Sequence, residues 1–358
     1  MKLGNLLKGS VLALGIAAAV FVGGADAFAA RVDLGGYPAE IRTENAQNVI
    51  VTKRGKWKLD ASTELYSSKN QTIVLKNTTP AQIDSIYATR CLTVKGNGEL
   101  QAITQSGQYG INVGQTLNAF GGCGGGRGTL KAVGNEAGVR VRDLCIQAGK
   151  LNAEGPRYGI YADCNVKSYC TAVVNALATN DDSVGTWAGS SVIATSKGQI
   201  ISEGGASGAY ARNCYVKAEC GGLLKGISRN LRSNLSALHA ERTSLCACSK
   251  ATLIEEYTYD PILNWQPRVP VNLTEYVAIR RNMAKVTNYR WSIEEGQGQI
   301  LSVTPQGISM DNMINATLVG KRSTSCVKGE PTKLACCSQH IVRIKNIYMS
   351  VPVRMQAE

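Results

Sequence analysis

The segment Gly128-Thr129-Leu130-Lys131-Ala132, followed by Gly138-Val139-Arg140-Val141, recurs as Gly149-Lys150-Leu151-Asn152-Ala153 followed by Gly159-Ile160-Tyr161-Ala162. Apolar and polar residues alternate in both copies, and this period of two is typical of strands with one buried face. The first copy begins at Gly128 and the second at Gly149. Each copy therefore predicts two short strands, joined by a polar turn, within a repeating unit of about 21 residues.

Weaker copies of this unit extend the repeat in both directions. They are Gly98-Glu99-Leu100-Gln101-Ala102 with Gly110-Ile111-Asn112-Val113, Gly198-Gln199-Ile200-Ile201-Ser202 with Gly208-Ala209-Tyr210-Ala211, and Gly298-Gln299-Ile300-Leu301-Ser302 with Gly307-Ile308-Ser309-Met310. A third short strand precedes the first glycine, as in Leu92-Thr93-Val94 and Leu144-Cys145-Ile146. Three strands per unit predict an all-β parallel β-solenoid, in which each coil buries its inner face by stacking on its neighbours. The longer intervals between copies indicate insertions or steps of two coils.

The repeat also divides the chain. We predict a signal peptide over 1–29, an N-terminal β region or cap over 30–90 and the solenoid over 91–222. An irregular insertion or lateral subdomain is expected over 223–290, where the pattern fades and prolines occur, and further solenoid coils over 291–358.

The N-terminus has the organisation of a secretory signal. Lys2 and Lys8 precede an apolar run, and small residues up to Ala29 and Ala30 offer a cleavage site. The alternative is an N-terminal membrane anchor, but the apolar run is short for that role. No later segment is apolar enough to span a membrane, so we expect a protein that is secreted, periplasmic or attached to the cell surface.

The 12 cysteines form an even number, and export favours disulfides over metal or redox chemistry. The segment from Cys164 to Cys170 recurs later in the chain as Cys214 to Cys220. This repetition predicts either a local bridge in each copy or pairing between the copies. The cysteines lack C-x-x-C spacing, and we expect neither a metal site nor a cofactor.

The chain is basic, with 39 Lys+Arg against 26 Asp+Glu and a formal net charge of +13. Outside the cytoplasm, a basic surface is suited to acidic polysaccharide or an anionic cell surface rather than to a specific nucleic acid. The simpler alternative is that the charge only maintains solubility.

The stacked strands with recurrent glycines resemble the right-handed parallel β-helix superfamily, which includes pectate lyases, polygalacturonases, tailspikes and many adhesins. Asn180-Asp181-Asp182 and Arg343-Ile344-Lys345 are similar to two motifs of polygalacturonase-like hydrolases, but the family's N-T-D and G-H-G motifs have no counterpart here. This resemblance implies catalytic roles for Asp181, Asp182, Arg343 and Lys345 as the weaker alternative. A solvated turn is the preferred interpretation of the two aspartates.

The outward positions of the repeat offer a candidate binding face. If the copies at Gly128 and Gly149 are adjacent coils, Arg140 lies beside Tyr161, with Asn112 and Tyr210 further along the same column. The first strand offers Gln101, Lys131 and Asn152. We therefore predict Arg140, Tyr161, Tyr210, Lys131 and Asn152 as glycan-binding residues, because aromatic rings pack on sugars while cations and amides bind their polar groups. An ordinary solvated face is the alternative.

The leading hypothesis is a non-enzymatic structural or adhesive protein, and the second is a glycoside hydrolase or lyase on the same scaffold.

Overall fold

The computed structural model describes residues 31–122, 127–229, 235–242 and 245–258, and further along 271–272, 288–296, 300–304, 307–310, 314–322, 333–334 and 338–348. These residues form an all-β parallel solenoid of about 7 turns, without a helix. The prediction of an all-β parallel β-solenoid is confirmed, whereas a uniform coil of about 21 residues and disulfide bracing are not.

The strands follow one another at short intervals. The N-terminal part contains β1 (Arg31–Asp33), β2 (Ala39–Glu44), β3 (Gln47–Thr52), β4 (Gly55–Lys58), β5 (Glu64–Ser67) and β6 (Gln71–Leu75). The central coils contain β7 (Ala81–Ile83), β8 (Ser85–Ala88), β9 (Leu92–Gly96), β10 (Glu99–Ile103), β11 (Tyr109–Ala119), β12 (Thr129–Val133), β13 (Ala137–Ile146), β14 (Lys150–Gly155), β15 (Tyr158–Ala162), β16 (Val166–Ser168), β17 (Val173–Ala178), β18 (Val184–Ala188), β19 (Val192–Ala194), β20 (Gln199–Gly204), β21 (Ser207–Ala211), β22 (Val216–Ala218), β23 (Leu223–Ser228), β24 (Leu238–Ala240), β25 (Leu245–Ala247) and β26 (Thr252–Thr258). The last strands are β27 (Val271–Asn272), β28 (Asn288–Gly296), β29 (Ile300–Thr304), β30 (Gly307–Met310), β31 (Ile314–Arg322), β32 (Lys333–Leu334) and β33 (Gln339–Tyr348).

Each central coil contributes to three parallel faces. Face 1 contains β7, β10, β12, β14, β17, β20, β23 and β26. Face 2 contains β5, β8, the first halves of β11 and β13, and then β15, β18, β21 and β24. Face 3 contains β6, β9, the second halves of β11 and β13, and then β16, β19, β22 and β25. The three strands predicted for each unit are therefore present.

The length of the coils varies. Leu130 pairs with Leu151, so the two clearest copies of the repeat are one coil apart. The next steps along face 1, to Val174, Ile200 and Leu224, are also single coils, and each is longer than this one. The step from Leu100 to Leu130 is a single coil that contains an insertion. The predicted unit therefore corresponds to one coil between the clearest copies, and the longer intervals contain both insertions and two-coil steps.

The interior is built from columns of apolar side chains, one for each face. Leu100, Leu130, Leu151, Ile111, Val139 and Ile160, the inward set that the alternation predicts, are all 0% exposed. A column of glycines borders this core on face 2, at positions 110, 138, 159, 185 and 208. A Cβ atom on Gly138 would lie 2.4 Å from the Glu154 nitrogen, because the backbones of faces 1 and 2 meet there. Close backbone approach therefore explains this column, since these glycines do not have positive φ.

Both ends of the solenoid depart from the repeat. At the N-terminal end β2, β3 and β4 form an antiparallel meander, and β2 joins β6 in parallel.

The solenoid extends beyond the boundary predicted at residue 222, because β23 to β26 continue the three faces as far as Thr258. Within 291–358, β33 and β32 add parallel strands to β26 and β25, whereas β31 pairs antiparallel with β28 and β33. The copy at Gly298 and Gly307 contributes to the antiparallel pair β29 and β30 rather than to a coil.

The predicted bridges among Cys164, Cys170, Cys214 and Cys220 are not formed. Among the described cysteines, those at 91, 145, 164, 220 and 248 hold free thiols. Ser190 lies between Cys164 and Cys214 and bonds to both backbones, so these cysteines are two strand spacings, about 9.6 Å, apart. A disulfide requires Cα atoms within about 7 Å. A local bridge between Cys164 and Cys170 is absent as well, because Cys164 holds a free thiol and the extended strand β16 lies between the two residues.

Candidate functional site

The outward residues near the centre of the face 2 strands form one column along the solenoid. The column, which we call the face 2 ladder, consists of Tyr66, Tyr87, Asn112, Arg140, Tyr161, Trp187, Tyr210 and His239. Arg140 pairs directly with Tyr161, and Tyr210 lies two strands further on, as the repeat predicts. Their role in binding glycans stays a prediction.

Four consecutive rings of the ladder stack on one another. The ring centroids of Tyr161 and Trp187 are 4.5 Å apart with an angle of 4° between the ring planes. The distances from Trp187 to Tyr210 and from Tyr210 to His239 are 6.3 and 5.2 Å, with angles of 11° and 10°. Stacked rings cover each other's faces. The ladder therefore presents ring edges to solvent, and with them the tyrosine hydroxyls and the indole N–H, rather than open faces for sugar stacking.

Sequence reasoning missed Trp187 and His239 as members of the ladder. The glycine-apolar-x-apolar pattern does not find their strands, because Thr186 follows Gly185 in one and Ala237 replaces the glycine in the other. The available signal was the spacing of the strands, since Trp187 lies one coil after Tyr161 and one coil before Tyr210.

Arginines lie beside the aromatic part of the ladder. The Arg140 guanidinium lies over the Tyr109 ring, 5.5 Å from its centroid, and that of Arg157 over Tyr158 at 5.3 Å. Within the described part of the chain, no carboxylate is within ion-pair distance of Arg140 or of Arg212, which follows β21. These cations are therefore available to an anionic ligand.

A pocket of about 280 Å³ opens beside the ladder, at its widest ring spacing. Its lining residues come from four successive coils: Arg157, Tyr158, Asp182, Val184, Trp187, Tyr210 and Leu235. Asp182 is thereby placed near the aromatic residues of face 2, which the sequence did not predict.

The Tyr210 hydroxyl, at the edge of its stacked ring, makes a hydrogen bond to a carboxylate. It donates this hydrogen bond to Glu241 Oε2. Partial burial and this hydrogen bond to a carboxylate raise the pKa of Tyr210 to about 12. The hydroxyl is therefore protonated, and remains a hydrogen-bond donor, throughout the physiological pH range.

This pKa shift predicts a loss of stability at high pH. The folded pKa lies above the ordinary value of 10.0, so the stabilisation linked to the proton is complete below pH 10 and is lost as the pH rises through about 12. We expect Tyr210→Phe to remove one component near pH 12 from the ultraviolet tyrosine titration. Glu241→Gln should move that component to lower pH. An unchanged titration in both variants would contradict the assigned hydrogen bond.

The remaining two glycan candidates lie on a different face. Lys131 and Asn152 are neighbours on face 1, and Asn175 Nδ2 donates to Asn152 Oδ1 at 2.8 Å. They line a groove of about 250 Å³ that also contains Glu154 and Glu203. The structure thus separates the five predicted glycan-binding residues into two sets, and two carboxylates border the set on face 1.

The residues of the hydrolase-like motifs do not converge. Asp181 and Asp182 follow β17, whereas Arg343 and Lys345 lie on β33, four strands further along face 1. Four strand spacings correspond to about 19 Å. In the described ranges, moreover, no group of three or more His, Cys, Asp and Glu side chains is arranged to hold a metal ion.

In the part of the chain with assigned structure, no helix has the length and hydropathy to cross a membrane. Comparison with known protein families, with curated proteins and with solved structures found no match.

Proposed function

We propose that the protein is a secreted, periplasmic or cell-surface β-solenoid with a structural or adhesive role, which binds acidic polysaccharide along the face 2 ladder without transforming it. The observation that carries the proposal is the row of aromatic edges with unpaired arginines beside it, which continues from coil to coil.

The geometry is suited to a polymer more than to a single small molecule. The ladder follows the solenoid axis, with neighbouring strands about 4.8 Å apart. A guanidinium group binds carboxylates through charge-assisted hydrogen bonds, and Arg140 and Arg212 have no competing carboxylate in the described chain. The Tyr161 hydroxyl and the Trp187 indole add donors for sugar oxygens. A ligand that extends over several coils would use these groups together.

The proposed location of the protein outside the cytoplasm depends on the sequence. Residues 1–29 have the organisation of a signal peptide, and the chain is basic. Outside the cytoplasm, anionic glycans are suitable partners for such a charge.

The choice of face 2 can be tested by a charge reversal at matched positions. We expect Arg140→Glu to weaken retention on immobilised polygalacturonate or alginate at least fivefold, because it replaces an unpaired cation of the ladder by an anion. Lys131→Glu makes the same change of net charge on face 1 and should weaken retention less than twofold. Equal effects of the two substitutions would show that only net charge matters, and retention on neutral glucan would contradict the proposal.

The same experiment separates binding from catalysis. We expect the retained polysaccharide to keep its length, with no new reducing ends and no absorbance from unsaturated products. Release of either product would replace the proposal by a hydrolase or a lyase on this scaffold.

A further inference from the structure

The pocket beside the ladder exists because the neighbouring column of face 2 residues has smaller side chains in the coils after Tyr158. At the first position of the face 2 strands, Tyr158 pairs with Val184, and Val184 pairs with Ser207. Val184 is 8% exposed and Ser207 is buried, so neither fills the space that the Tyr158 ring occupies one coil earlier. The result is a recess lined by Val184 and by the aromatic residues Tyr158, Trp187 and Tyr210.

Two groups of opposite charge face this recess from separate turns. Arg157 precedes β15, and its only ion pair in the described chain is a loose one with Glu136 at 4.0 Å. Asp182 precedes β18, and its exposed carboxylate has no hydrogen-bond or ion-pair partner among the described residues. The recess therefore offers one strong donor and one strong acceptor that lack firm partners.

We propose that this pocket is a subsite for one uronic acid residue, an inference that rests on the proposed binding of acidic polysaccharide. The sugar carboxylate binds the Arg157 guanidinium, and two of its hydroxyls donate to the Asp182 carboxylate. Trp187 and Tyr210 form the aromatic side of the pocket, and Leu235 closes it from the next coil. The volume of about 280 Å³ is at the small end of ligand pockets and is adequate for a single sugar ring.

The surrounding charges favour an acidic sugar over a basic one. An amino sugar would satisfy Asp182 but would meet Arg157 and, nearby, the unpaired Arg212. A neutral hexose would leave the Arg157 guanidinium with only its loose ion pair to Glu136. A uronate residue satisfies both charged groups, because its carboxylate and its hydroxyls lie on different sides of the ring.

The test uses short ligands, so that it does not depend on retention of the polymer. The full chain is titrated with digalacturonate, its methyl ester and the disaccharide of glucosamine, and binding is followed by calorimetry and by tryptophan fluorescence. We expect digalacturonate to bind about tenfold more tightly than the other two. A Trp187→Phe variant should lose the fluorescence change.

Matched substitutions assign the contacts. Arg157→Gln and Asp182→Asn should each weaken digalacturonate about tenfold, whereas Arg142→Gln and Asp181→Asn, exposed residues outside the pocket, should change it less than twofold. Arg157→Gln should have little effect on the methyl ester. If the pocket variants bind like the controls, or if glucosamine disaccharide binds best, the subsite is wrong even when polymer is retained. If the subsite behaves as expected but Arg140→Glu leaves polymer retention unchanged, the proposed function along the ladder fails instead.

Discussion

Replacing Leu130 by aspartate is expected to prevent the solenoid from folding. Leu130 is 0% exposed and pairs with Leu100 on one side and Leu151 on the other, both equally buried. A carboxylate at this position would have no cation or hydrogen-bond donor in the apolar column. The cost of burying it is about 5 kcal/mol or more, which is comparable to the whole stability of many domains.

The adjacent residue provides the control for this prediction. Lys131 points outward from the same strand, so Lys131→Asp introduces the same side chain on the solvated side of face 1. We expect the Lys131 variant to keep the β-sheet circular dichroism spectrum and to melt within a few degrees of the parent. The Leu130 variant should lose the cooperative transition altogether. Normal melting of Leu130→Asp would mean that the inward register of the repeat is incorrect.

The register could be predicted from the sequence because it depends on a local property. Alternation with a period of two places Leu130 and Lys131 on opposite sides of a strand whatever the rest of the chain does. The short offset between the two clearest copies then places Arg140 beside Tyr161, since one coil separates them. Both results required only neighbouring residues and one short repeat.

The complete ladder could not be predicted in this way, because its spacing is set by turns of unequal length. The coil that begins at Val173 has no initial glycine and lies between the copies at Gly149 and Gly198, so their interval concealed a whole coil. The same concealed coil explains why the disulfides predicted between the two cysteine segments are not formed. Cys164 and Cys214 are equivalent positions two coils apart, with Ser190 between them, and equivalence alone does not bring two residues into contact.

The pocket depends on even more distant parts of the chain. Arg157, Asp182 and Leu235 precede strands of three different coils and meet only because the coils stack. Their convergence is a consequence of packing, and a search for motifs along the sequence does not detect it.

Gly138→Ala is expected to have the second large effect, about 3 kcal/mol or more of lost stability. A Cβ at this position would lie 2.4 Å from the Glu154 nitrogen and 2.6 Å from the Ala132 carbonyl oxygen. Both are backbone atoms of face 1, so a change of rotamer cannot relieve the overlap and the two faces must separate. Gly121→Ala is the matched control, because the nearest atom to its added methyl group is Gln147 Oε1 at 3.6 Å, an ordinary contact. Thermal and urea denaturation should therefore show a large shift for Gly138→Ala and almost none for Gly121→Ala. If the two variants melted alike, faces 1 and 2 would be further apart at Gly138 than the structure indicates.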